Sequence, residues 1–279
     1  MSLGLRYKNE KHIFDEKVVN GVPYLSYPML EDTGIVRHGF STRFGGVSTG
    51  HCATMNISTT RGDDPESIEE NRRRIASAIG VKTEDFTYTH QTHTTNVAVV
   101  TEEDRGRQFM ETDGLVTNVP GICLVTFYAD CVPLFFVDPV RRAIGLSHSG
   151  WKGTVHKMGK VTVERMRDEF GTDPAQVTAA IGPSICQECY EVSEDVIEQF
   201  RENFREELWP ELFYRKENGK YQLDLWRANR AVLVEAGIPE ERIAVTNVCT
   251  HCNPDILFSH RSSGVKRGNL SAFLALKPA

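Results

Sequence analysis

Between Gly114 and Trp151 the chain reads "GLVTNVPGICLVTFYADCVPLFFVDPVRRAIGLSHSGW", a run of apolar and β-branched residues broken only at turn residues. Such a run predicts buried strands, so the fold must supply a core to cover them. Its second half reads as one hairpin. With Asp138 first and Pro139 second, Asp138-Pro139-Val140-Arg141 fits a type I turn. Closing the hairpin there sets Cys131 opposite His148, with Cβ atoms roughly 4.5–5.5 Å apart. A loop two residues longer keeps the two side chains on one face as diagonal neighbours, whereas a one-residue bulge separates them. Thiol and imidazole are thus expected side by side, as a metal site or as a nucleophile and its base.

The 279 residues suffice for a substantial core, and 40% apolar with 25% charged residues is ordinary for a globular protein. The net charge of −6 is interspersed, with no basic block that reads as a nucleic-acid or membrane patch. The opening "MSLGLRYKNEKHIF" lacks an apolar signal core, and no window approaches a membrane span. Seven cysteines, an odd number, suit reduced thiols or metal ligands in a cytoplasmic protein.

Without repeats or linkers, the chain reads as a single domain, 1–279. Asn20-Gly21 marks a hairpin between "EKVV" and "VPYLSY". Asp64 and Pro65 open a helix whose stripe is Ile68, Ile75 and Ile79 and whose stop is Gly80. Further helices are expected from about Thr154 to Phe170, from Ser193, and over "DLWRANRAVLVEAG", with a hairpin at Asn218-Gly219. Strands and helices mix without strict alternation, which favours an α+β fold with mixed sheets.

A catalytic zinc takes three protein ligands and leaves one position open. The upstream candidates are His90 and His93 in "YTHQTHTTNV"; on a strand they face opposite ways, so one of them would point at the site. "HGFSTRFGGVSTGHCATMN" surrounds Arg43 with Gly45-Gly46, whose freed amides and guanidinium suit an oxyanion. Lys152 lies just beyond His148, and "SHRSSGVKRGN" adds His260, Arg261, Lys266 and Arg267 as a second possible anion site. Cys186-x-x-Cys189 and Cys249-x-x-Cys252 have the spacing of a four-thiolate zinc site, but 59 residues separate them. "GPSICQECYEV" lacks the turn-rich look of a zinc knuckle, so buried free thiols are the expected reading. Cys52 and Cys123 read as core.

Taken together, "HGFSTRFGGVS", "QTHTTNV", "TDGLVT", "ADCVPLFFVD", "LSHSGWKGT", "AIGPSICQECYEV", "LDLWRANR" and "FSHRSSGVKRGNLSAF" occur in the order seen in the laccase-domain family. The chain resembles these YlmD/YfiH-type proteins, once described as multicopper polyphenol oxidoreductases and now as purine nucleoside phosphorylases, over about 37–276. The resemblance implies mixed sheets in an α/β/β/α arrangement and a zinc held by His93, Cys131 and His148, the catalytic residues. It carries no histidine at the position of His90 and assigns nothing to the CxxC pairs. It also implies phosphorolysis of adenosine, inosine, guanosine and methylthioadenosine, with deamination of adenosine, so the partners are purine nucleosides and phosphate. Arg43, with Lys152 or Arg267, is then the expected phosphate clamp, and Asp130 the residue that orients a ligand histidine.

Two rival chemistries use the same residues. Cys131 with His148 as base would make a hydrolase or peptidoglycan-editing enzyme. Copper with phenol oxidation is the other, but blue-copper sites usually add a weak axial ligand and a laccase needs His-x-His pairs. The nine histidines here include none. A closed structural zinc in a partner-binding domain is the non-enzymatic reading.

Overall fold

The apolar stretch does not build one sheet. In the computed structural model, which describes residues 2–278, Gly114–Thr117 and Val132–Asp138 enter one sheet, while Cys123–Tyr128 between them enters another. The first is six-stranded, in the order Ile243–Val245, Thr178–Ile181, Val132–Asp138, Ala143–Ser149, Gly114–Thr117, Val97–Val99. The second is seven-stranded, in the order Asp15–Val19, Val22–Ser26, Val36–Ser41, Leu270–Leu276, Cys123–Tyr128, Phe86–Thr89, Gln108–Phe109. Both mix parallel and antiparallel pairs.

The sheets face each other across a core in which Phe40, Leu124, Tyr128 and Leu274 meet Leu115, Phe135, Val137 and Leu146. The outer face of the seven-stranded sheet is covered by helix Pro65–Ile79, whose Ile75 and Ile79 pack with Val22, Tyr24 and Phe273. Helices Met158–Phe170, Glu194–Asn203 and Leu225–Glu235 cover the other sheet, setting Val163, Met166, Phe200 and Leu233 against Leu134 and Phe136. The result is the expected α+β fold in α/β/β/α layers. Among the described residues no helix is long and apolar enough to cross a membrane.

Local chemistry explains most of these elements. Asp64 accepts from Ser67 N at 2.9 Å to start the first long helix, and Gly80, at φ 76°, ends it. Asn20 and Gly21 take φ 52° and 77°, as a two-residue hairpin turn requires. Two expectations need correction. The Thr154–Phe170 helix is really two, Trp151–Val155 and Met158–Phe170, separated where Lys157 adopts φ 60°. Just past the break Gly159 lies so close to Leu233 that a Cβ would come within 2.7 Å of it.

The central hairpin is also two residues longer at its turn, because Ala143 pairs with Asp138 and His148 with Pro133. Asp138 Oδ1 accepts from Val140 N (2.9 Å) and Arg141 N (3.0 Å), and Arg142 turns back at φ 50°. Cys131 and His148 are therefore diagonal neighbours rather than directly opposed, and they keep a common face.

His38 shows what the intersheet core demands of a titratable group. It is 5% exposed, accepts a hydrogen bond from Tyr27 N at 2.8 Å through Nε2, and lies near Tyr27 and Phe135. Burial pushes its pKa down to about 4; Glu31 opposes the shift, and Lys17 and Lys277 add to it. Between pH 6.5 and 4 the unfolded chain takes up a proton that the folded chain refuses, so stability falls as the pH drops through this window. The loss should reach about 3 kcal/mol, since each pKa unit is worth about 1.4 kcal/mol. Urea titrations at pH 7 and pH 4 should show it, and His38→Gln should flatten the dependence in that range.

Candidate active site

Asp113, in the turn that leads into strand Gly114–Thr117, has no solvent exposure, and its carboxylate organises everything around it. Oδ1 accepts from His93 N (3.1 Å) and His148 Nδ1 (2.8 Å). Oδ2 accepts from Thr92 N (3.0 Å), Thr94 N (3.0 Å) and Thr94 Oγ1 (3.1 Å). Burial works against the charge, but His148 and the amides of Thr94 and Thr92 outweigh it and hold the carboxyl at about 2. Asp113 O also accepts from His148 N at 2.7 Å, tying the end of strand Ala143–Ser149 to the same point.

Segment 90–96 is a loop, not the strand that set His90 and His93 on opposite faces, and both histidines line one cleft. Gln91 anchors this loop by acting as an extra rung of the sheet, donating to Phe127 O (2.8 Å) and accepting from Phe127 N (2.7 Å). His93 sits beyond it at φ 62°, held by the Asp113 carboxylate.

His93, Cys131 and His148 come together here, with Sγ and one nitrogen of each ring all within 4.8 Å of one another. Cys131 Sγ lies 3.9 Å from His93 Nε2, and the two imidazoles meet edge to face with centroids 4.9 Å apart. Tetrahedral zinc holds sulfur and nitrogen ligands roughly 3.6 Å apart, so the spacing and the donor types fit a thiophilic ion. Asp113 occupies Nδ1 of His148 and leaves Nε2 for a metal, the carboxylate–histidine arrangement that fixes ligand tautomers. Burial raises the Cys131 thiol, but His148 and His93 overcome this and leave it below the ordinary thiol range. Gly150 makes room for the group: a Cβ there would stand 3.1 Å from both Cys131 Sγ and His93 Cδ2. Among the described residues the cluster has three members, which leaves a tetrahedral ion one open position.

Two hollows meet at His93 and Cys131. One, of about 250 Å³, is polar: Ser58, Thr60, Arg61, His90 and Arg267 line it. Burial, with the neighbouring Arg61 adding to it, pushes the Arg267 guanidinium down to about 10. The other hollow, of about 290 Å³, is walled by Trp151, Ile185, Tyr190 and Leu225, with Lys152 at its edge.

The remaining sequence expectations fare unequally. Arg267 lines the polar hollow, its Nη1 donating to Gly268 O at 3.0 Å and to Asn269 Oδ1, and Lys152 lines the other hollow. Arg43 is committed elsewhere: it donates to Ala53 O and Pro254 O and lies over the Phe258 ring. The amides around Gly45-Gly46 are also consumed internally, Gly46 N by Thr54 Oγ1 and Val47 N by Asn71 Oδ1. Asp130 orients no ligand histidine; it accepts from Thr250 Oγ1 and Arg261 N, both at 2.6 Å. That task falls to Asp113, which sequence reasoning missed although the "TDG" motif was in view; Arg61, which lines the polar hollow, was not singled out either.

The sequence model for the multi-copper polyphenol oxidoreductase laccase family matches residues 37–277. A purine nucleoside phosphorylase of Deinococcus radiodurans is 40% identical over 256 residues, 92% of this chain and 94% of that one. An adenosine deaminase, RL5, from an unknown prokaryotic organism is 36% identical, covering 82% of this chain and 90% of the relative. The crystal structure of YlmD from Geobacillus stearothermophilus superposes with a TM-score of 0.89 at 32% identity, over 95% of this chain and 99% of that one.

The Asp113 carboxylate makes a sharp prediction. Asp113→Asn keeps the shape but removes the charge that His148 leans on, and metal affinity at the cluster should fall about 10- to 100-fold. Competition with a chromogenic chelator measures this directly; unchanged affinity would show that the hydrogen bond is incidental.

Proposed function

The chain belongs to the multi-copper polyphenol oxidoreductase laccase family, and from that membership and the site's layout we propose that it is a zinc-dependent purine nucleoside phosphorylase that also deaminates adenosine. The observation that carries the reading is the junction of an arginine-lined hollow with an aromatic one at the Cys/His₂ cluster. Phosphorolysis needs that division. A phosphate oxygen must reach the anomeric carbon from one side while the purine leaves on the other with a proton.

In this reading Arg61 and Arg267 hold the phosphate, with the Ser58 and Thr60 hydroxyls as further donors. Tyr190 and Trp151 provide the wall for the purine. His93, Cys131 and His148 hold the zinc, and Asp113 keeps His148 Nε2 directed at it. Bound there, zinc supplies Lewis acidity and lowers the pKa of water toward neutrality, the chemistry that deamination at C6 requires. The chain's own contribution is to keep phosphate and base apart and to hold its ligands in place before substrate arrives.

One observation favours a second reading. Cys131, His148 and Asp113 also form a thiol–imidazole–carboxylate line, with the thiol acidified by its neighbours, as a cysteine hydrolase would use. His93, 3.9 Å from Sγ, supports the metal reading, because a metal uses it and a nucleophile does not need it.

Purified protein given inosine and phosphate should release hypoxanthine and ribose 1-phosphate, and Cys131→Ala should abolish this. A wild type no more active than Cys131→Ala would refute the phosphorylase reading, and rapid alkylation of Cys131 in the zinc-loaded protein would favour the hydrolase. Adenosine without phosphate should yield inosine. Arg267→Ala and Arg61→Ala should each raise the KM for phosphate roughly 10- to 100-fold, as loss of a charge-assisted hydrogen bond dictates, with less effect on the KM for inosine.

A further inference from the structure

The two CxxC pairs, expected as free thiols, converge. The Sγ atoms of Cys186, Cys189, Cys249 and Cys252 all lie within 4.8 Å of one another, and Cys189 Sγ is 3.5 Å from Cys252 Sγ. Tetrahedral zinc spaces its thiolates roughly 3.8 Å apart. Each pair is a tight turn. Gln187–Cys189 is a 3₁₀ turn closed by Cys189 N donating to Cys186 O at 3.1 Å, and Asn253 N closes the other by donating to Thr250 O at 3.2 Å. A parallel bridge between Ser184 and Cys249 sets the turns against each other, and Cys186 N donates to Cys249 Sγ at 3.2 Å. Two such knuckles, four convergent sulfurs and an amide directed at a sulfur make up the donor set of a closed structural zinc site.

We propose that Cys186, Cys189, Cys249 and Cys252 bind a second, structural zinc ion, separate from the one at His93, Cys131 and His148. Its place in the fold gives it a task. Asp130, the residue before Cys131, is fastened to both knuckles: its carbonyl accepts from Ile185 N at 3.0 Å and its carboxylate from Thr250 Oγ1 at 2.6 Å. Ile185 and Tyr190, which flank the first knuckle, form part of the aromatic hollow. Zinc at the four thiolates thus fixes the backbone that presents Cys131 and one wall of the cleft. The inference stands apart from the nucleoside chemistry, since inosine cleavage can fail while two zinc ions are still counted.

The test is the metal content of the untagged full-length protein, purified under reducing conditions without added metal. Mass spectrometry of the metals should find two zinc ions per chain in the wild type and one in Cys131→Ala. Cys189→Ser combined with Cys252→Ser should also retain one. Because that double variant can fail to fold, Cys131→Ala loaded with cobalt provides an independent reading: it should show the intense visible bands of a tetrathiolate cobalt centre. One zinc in the wild type and none in Cys131→Ala would overturn the proposal. So would iron in place of zinc, or intact-mass evidence of disulfides among the four cysteines.

Discussion

A buried carboxylate is costly unless donors surround it, and Asp113 is surrounded by five. Moving the loop that carries His93, or turning His148, would strip partners from a charge with no water to replace them. This is why His93, on an irregular segment at positive φ, can be as well placed as the strand-borne His148. The three side chains of the cluster come from distant parts of the chain, and a single anion makes their arrangement one unit.

What was legible in the sequence is what short-range chemistry controls. Asp64 and Gly80 marked their helix because caps act within a few residues, and Asn20-Gly21 marked its hairpin for the same reason. Cys131 and His148 were paired correctly in face, though not in register, because a two-residue change of loop preserves the alternation of side chains. The misjudged residues were those whose role depends on distant partners. Asp130 was favoured for its position next to Cys131, yet its backbone turns at φ 87° and its carboxylate is taken by Thr250 and Arg261. Arg43 sits in a glycine-rich stretch that looks like an anion cradle, but Thr54 and Asn71 take up its amides. Nothing local in "TDG" announces that Asp113 meets residues about 20 and 35 positions away.

The two hollows at the cluster differ in charge. Arg61 and the half-buried Arg267 repel each other, and in the proposed reaction the phosphate offsets that repulsion. The opposite hollow is apolar along most of its wall and keeps Lys152 at its edge. Under the proposed function, this asymmetry gives phosphate and base separate sides of the cluster.

The position of strand Leu270–Leu276 has a consequence for how the protein is made. The last strand in the sequence is not at an edge; it lies in the middle of the seven-stranded sheet, antiparallel to both Val36–Ser41 and Cys123–Tyr128. Until it is in place, the strands that begin the chain and those that support the cluster form two unconnected halves. Each half therefore presents an unpaired strand edge until the residues up to 276 are available, and such non-local pairing is intrinsically slow to complete.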